Sequence, residues 1–152
     1  MPSYFLDSCA LAKAYHVETG TPKMLALLAD AASQFFISSL TVIEMQSVFS
    51  QKVRDGKIDE TDYRLVKKRF AADIDRKRLF VKNLLRPQQQ MAEKLLEKHA
   101  KVRRLRTLDA LQLGAALELW PKLRLDHFVS SDKHLVEVAR LEGISVVNPD
   151  DP

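Results

Sequence analysis

Residues 4–15 read Tyr4-Phe5-Leu6-Asp7-Ser8-Cys9-Ala10-Leu11-Ala12-Lys13-Ala14-Tyr15. Ser3 to Leu6 is short and apolar and reads as a buried strand, and Ala10 to His16 follows as a short helix. Asp7 stands between them, a carboxylate closing a buried strand rather than opening a surface helix. The same arrangement recurs along the chain. Gln34 to Ser38 is a second apolar strand, and Glu44 lies in the first turns of the helix after it, Thr41 to Asp55. Asp109 opens the helix Thr107 to Trp120. Asp132 follows the strand His127 to Ser130.

The remaining elements extend the same alternation. Thr21 is placed to cap a helix with Pro22 at its first position, and Lys23 to Ala32 continues it. Asp59 to Arg76 is a charged amphipathic helix. Leu79 to Lys82 reads as a strand, and Pro87 to Lys101 as a helix. Pro121 is expected to stop the helix that begins at Thr107. His134 to Glu142 is a helix closed by Gly143, and Ile144 to Val147 a last strand. Short apolar strands alternating with helices imply an α/β fold of three layers, α/β/α, around a short, mainly parallel sheet. Ligands of such sheets bind beyond the carboxyl ends of the strands, which is where the four acids are expected to meet.

The bulk composition agrees. A chain of 152 residues fits one domain, 1–152, with one well-buried interior. Only 4 glycines argue against a turn-dense β sandwich. No apolar run is long enough to span a membrane, and the N-terminus lacks the pattern of a signal peptide. With Cys9 alone there is no internal disulfide and no thiolate zinc site, so a cytoplasmic setting is expected. The net charge of +4 conceals an asymmetry. Lys52 to Arg106 holds 18 basic and 8 acidic residues, while the rest of the chain, with all four acids, holds 6 and 12. A basic middle beside an acidic cluster suits a polyanion held next to a metal ion.

Carboxylates gathered without histidine or thiol partners favour a hard divalent ion, Mg²⁺ or Mn²⁺. Such an ion relieves their mutual repulsion and acts on a phosphodiester. Each acid also has a local explanation. Thr41-Val42-Ile43-Glu44 fits a capping box, Asp109 follows the natural cap Thr107, and Asp132 can cap the last long helix. Ser8, Thr107 and Ser130 adjoin the acids and are candidates to orient them. Arg103, Arg104 and Arg106 precede Asp109 and are candidates to grip a nucleic-acid backbone. His16, His99, His127 and His134 show no zinc spacing, Ser8 has no evident base, and no glycine-rich phosphate loop is present. The stripe Met24, Leu25, Leu27 and Leu28 serves the interior or an oligomer face.

The opening stretch, continued by Glu18-Thr19-Gly20-Thr21, resembles the start of PIN-domain proteins. Ser38-Ser39-Leu40-Thr41-Val42-Ile43-Glu44 resembles their second motif. Leu105-Arg106-Thr107-Leu108-Asp109-Ala110-Leu111-Gln112-Leu113-Gly114-Ala115-Ala116 resembles the third, and Val129-Ser130-Ser131-Asp132 the fourth. The likeness spans nearly the whole chain and is greatest to VapC-type toxins of toxin–antitoxin pairs. It implies a PIN-like fold and a metal-dependent endoribonuclease, with Asp7, Glu44, Asp109 and Asp132 as catalytic residues around Mg²⁺ or Mn²⁺. It also implies RNA as the backbone that Arg103, Arg104 and Arg106 grip, a homodimer and a small VapB-like antitoxin partner. The family commonly has serine where this chain has Cys9. The alternative is a non-catalytic RNA-binding or interaction module on the same fold.

Overall fold

A computed structural model describes residues 1–152. In chain order the elements are β1 (Ser3–Leu6), α1 (Ser8–Ala12), α2 (Thr21–Leu28), β2 (Gln34–Ser38), α3 (Ser39–Arg54) and α4 (Glu60–Asp75). β3 (Phe80–Lys82), α5 (Arg86–His99), α6 (Thr107–Leu123), β4 (His127–Val129), α7 (Lys133–Leu141) and β5 (Val146–Val147) complete the chain. The sheet has the order β3-β2-β1-β4-β5, and every neighbouring pair is parallel.

Strand alternation sorts the side chains into two interiors. Phe5, Phe36 and Phe128 face one layer, where they meet α5, α6 and α7 through Leu95, Leu113, Leu135 and Val138. Leu6, Phe35, Ile37 and Val129 face the other, built from α1 to α4 around Met24, Met45, Phe49 and Phe70. Both faces of the sheet are therefore dry, which is why its strands read as unbroken apolar runs. The two-faced burial also fixes register, because a slip of one residue would exchange the two interiors.

α5 and α6 approach most closely where α6 carries Gly114. A Cβ at that position would lie 2.8 Å from the Ala92 backbone nitrogen and 3.1 Å from the Gln88 carbonyl oxygen. Further along, buried His99 ties α5 to the end of α7. Arg103 Nη1 can only donate, so His99 Nδ1 accepts from it at 3.0 Å, and Nε2 gives its proton to Glu142 at 2.8 Å.

Three local expectations are corrected. The second helix ends at Leu28 rather than Ala32, and its cap is left-handed Gly20, with Thr21 already helical. Arg78, fifty residues away, takes the Leu28 carbonyl, while Asp30 turns the chain by accepting from Ala32 N and Ser33 Oγ. Pro121 does not stop α6, which continues to Leu123 and ends at Arg124 in the left-handed region. Proline forgoes only its own donor to the Leu117 carbonyl one turn earlier, while the amides after it are kept and Leu125 N still reaches Trp120 O. Thr41 does not cap α3; Ser38 does, one turn earlier, by accepting from Thr41 N at 3.2 Å.

Candidate metal and nucleic-acid site

The chain runs from β1 outward to β2 and β3, then returns to place β4 on the other side of β1. The strand order therefore reverses between β1 and β4, and the carboxyl ends of these two strands are where sheets of this kind have their ligand crevice. Asp7 leaves β1 at this point, and Ser130 and Asp132 leave β4. Glu44, from α3, and Asp109, from α6, come to the same edge.

Asp7 is 3% exposed and held from several sides. Its Oδ1 accepts the Ala10 amide at 3.0 Å, which caps α1. Its Oδ2 accepts Ser130 Oγ at 2.5 Å, and Cys9 Sγ lies 3.1 Å from both oxygens. Burial pushes the Asp7 carboxyl up to about 6; hydrogen bonds from Ser130, Ala10 and Cys9 oppose the shift, and the Glu44 charge adds to it. Burial and the Asp7 charge push the Cys9 thiol up to about 12, so it keeps its proton and serves as a donor. Ser130 also receives the Asp132 amide at 3.2 Å, so one hydroxyl joins the loops that carry two of the acids.

Asp109 is half-buried, one turn into α6. Burial raises its carboxyl above the ordinary range, the Asp132 and Glu44 charges add to this, and Arg106 opposes it. Asp132 caps α7, its Oδ1 accepting from His134 N at 2.9 Å and Leu135 N at 3.0 Å. Glu44 has a different partner from the capping box expected of it: Gln112 Nε2 donates to its Oε1 at 2.6 Å. The four acids thus sense one another's charge, yet none forms an ion pair with a lysine or arginine. No three His, Cys, Asp or Glu side chains stand close enough to make a ready-made metal cage.

This donor set fits a hard divalent cation. It is all carboxylate oxygen, no lysine or arginine is ion-paired with it, and burial together with its charges raises the proton affinity of Asp7 and Asp109. Asp7, Glu44, Asp109 and Asp132 are the carboxylates such an ion would draw together, since no three of them stand close enough to hold it as placed.

The neighbouring residues divide. Ser130 touches Asp7 directly. The Ser8 hydroxyl makes no hydrogen bond with an acid, and the residue that does is Cys9. Thr107 is exposed and is the first residue of α6, not its cap, which is Arg106. Arg104 and Arg106 are exposed. Arg103 instead turns toward α5 and α7, against His99 and with its Nε 4.0 Å from Glu137. The residue that sequence reasoning missed is Gln112, whose only signal was a lone amide in an apolar helix, three residues beyond Asp109.

The PIN domain model matches residues 4–141. This chain belongs to the PIN domain family. No curated protein matches it in sequence. Among solved structures, VapBC from Salmonella typhimurium bound to DNA aligns with a TM-score of 0.67 at 16% identity, over 98% of this chain and 99% of that one. VapBC2 from Rickettsia felis, bound to a promoter DNA fragment, aligns at 0.65 and 18% identity, over 96% and 98%. VapC20 of Mycobacterium tuberculosis, a sarcin-ricin loop cleaving toxin, aligns at 0.63 and 14% identity, over 88% and 93%. At these identities the PIN-domain likeness to each is one of fold. No helix of the chain is long and apolar enough to cross a membrane.

Proposed function

We propose that this PIN-domain protein is a Mg²⁺- or Mn²⁺-dependent endoribonuclease and the toxin of a toxin–antitoxin pair. The observation that carries the reading is the set of four carboxylates at the β1–β4 crevice, mutually repelling and without a basic partner. A divalent ion bound there would supply positive charge to the scissile phosphate and acidity to water. The protein's own part is positional. Ser130, Cys9 and the Ala10 amide hold Asp7, Gln112 holds Glu44, and the start of α7 holds Asp132. Arg104 and Arg106 bring positive charge to the mouth of the crevice for the RNA backbone. A small antitoxin of the VapB kind as partner belongs to the same proposal, supported by the VapBC complexes among the structural relatives, and a homodimer and a cytoplasmic setting are proposed with it.

The test is cleavage of RNA by protein stripped with EDTA and then given Mg²⁺ or Mn²⁺. Cleavage that returns with either ion supports the reading, and undiminished cleavage in EDTA ends it. The toxin assignment expects growth arrest on expression, relieved by co-expression of a small neighbouring gene product.

The arginines make a separable prediction. Phosphate contacts give a salt dependence of about 0.7 in log K per log salt for each contact on single strands. The double variant Arg104→Gln/Arg106→Gln is expected to reduce the slope of RNA binding by about 1.4, whereas Arg103→Gln should leave it unchanged and lower the melting temperature. Filter binding across a salt series reads the slopes directly. An unaltered slope in the double variant removes the arginines from the RNA contact.

A further inference from the structure

Gln112 sits on α6 one turn beyond Asp109, on the same side of the helix, and is 2% exposed. A primary amide buried so deeply is costly unless each of its polar atoms is satisfied. Here all are. Nε2 donates one proton to Thr41 Oγ1 at 2.7 Å and the other to Glu44 Oε1 at 2.6 Å, and Oε1 accepts from Ser38 Oγ at 3.1 Å. The orientation is fixed by chemistry. Turning the amide over would set its oxygen against the Glu44 carboxylate, two acceptors facing without a proton between them.

The network has a direction. Ser38 ends β2 and caps α3, Thr41 is buried in the first turn of α3, and both anchor the amide from the sheet side. The remaining donor leads outward to Glu44, which is only partly buried and stands at the crevice. Ser38 and Thr41 alone would tie α3 to α6 but would leave one Nε2 proton unpaired. The second Nε2 proton instead goes to one of the four acids, from a residue rigidly linked to another.

We infer that Gln112 is a positioning residue for the acid site, coupling Glu44 on α3 to Asp109 on α6 so that the two carboxylates keep a fixed separation. This rests on the nuclease reading, because it assigns Gln112 its effect through Glu44. It differs from that reading in placing a determinant of ion affinity on a neutral residue inside the protein. Partners that orient ligating groups typically change ion affinity or activity by about 10- to 100-fold when removed.

The experiment is calorimetric titration of Mn²⁺ into wild type, Gln112→Met, Glu44→Ala and the double variant, with melting temperatures and RNA kinetics for each. Methionine keeps the length and unbranched shape of glutamine while deleting its hydrogen bonds. Gln112→Met is expected to weaken Mn²⁺ binding about 10-fold or more and to lower kcat, with KM for RNA within about 2-fold. The double variant is expected to bind Mn²⁺ no more weakly than Glu44→Ala, because a residue acting through Glu44 has nothing left to act upon. Gln112→His, which retains one N–H donor, should recover part of the affinity. Thr41→Val removes one acceptor of the amide without touching it, and should weaken Mn²⁺ binding even if Gln112→Met does not fold. Full Mn²⁺ affinity in folded Gln112→Met or in Thr41→Val overturns the inference while leaving the nuclease reading intact. So does additivity of Gln112→Met and Glu44→Ala. A wild-type protein that neither binds Mn²⁺ nor cleaves RNA overturns both.

Discussion

Asp7→Asn is expected to melt higher than wild type at pH 7.5 and to cleave RNA about 1,000-fold more slowly. Both effects come from the same buried charge. The Asp7 carboxyl is raised from 3.8 to about 6, chiefly by burial. A raised carboxyl contributes stability that is fully present below the unfolded value, near pH 4, and lost as pH rises through about 6. At neutral pH the folded protein therefore carries a charge that costs about 3 kcal/mol, the free-energy equivalent of moving the carboxyl from 3.8 to about 6. Asparagine removes the charge and still caps α1. For a chain of this length each kcal/mol moves the melting temperature by about 2–4 °C, so a gain of up to about 10 °C is expected. The difference should shrink toward zero as the buffer is taken to pH 4. Excess Mn²⁺ should cancel most of it, because an ion that binds only the folded wild type at 100 times its Kd adds about 2.7 kcal/mol. The rate loss corresponds to about 4 kcal/mol of transition-state stabilisation, within reach of a charge acting in a dry crevice. Thermal melts from pH 4 to 8 decide the stability half. A variant less stable than wild type at pH 7.5, by a margin that ignores pH, contradicts the account of Asp7.

Gly114→Val is expected to lower the melting temperature by about 2–12 °C. The Cβ position at Gly114 meets backbone of α5 rather than a flexible side chain, at 2.8 Å from Ala92 N. Relief requires the two helices to separate, and that opens the interior formed by Ala92, Leu95, Leu113 and Phe128. Overpacking of this kind costs about 1–3 kcal/mol, more than the few tenths of a kcal/mol, roughly, that valine gains over glycine in helix propensity. Because α6 also carries Asp109 and Gln112, the same variant should lower RNA cleavage. Unchanged melting by calorimetry would mean that α5 and α6 do not meet as closely as Gly114 requires.

The parts of the fold visible in the sequence are those written by local pattern. The strand-ending acids Asp7 and Asp132, the apolar runs of β1, β2 and β4, and the long helices α3 and α4 are readable because both faces of the sheet are buried. The failures involve distant partners. The end of α2 depends on Arg78 reaching Leu28 O, and the cap of α3 on Ser38 rather than the nearer-looking Thr41. Glu44 shows the limit most clearly. Its sequence neighbours offered a complete capping box, while its actual partner, Gln112, lies 68 residues away. Cys9 was an odd residue in the motif; its contact with both Asp7 oxygens gives it a place as a protonated donor.

The most direct measurement compares single-turnover cleavage of RNA by wild type and Asp109→Asn, each with saturating Mn²⁺ and each in EDTA. Asp109 is the informative acid because no side chain bonds to it and its one local partner, the Arg106 backbone, can equally donate to the asparagine oxygen, so Asp109→Asn should leave the fold intact. The account predicts cleavage by wild type only when the ion is present, and a rate about 1,000-fold lower for Asp109→Asn at the same ion concentration. Cleavage by wild type that persists in EDTA, or equal rates for the two proteins in Mn²⁺, would contradict it.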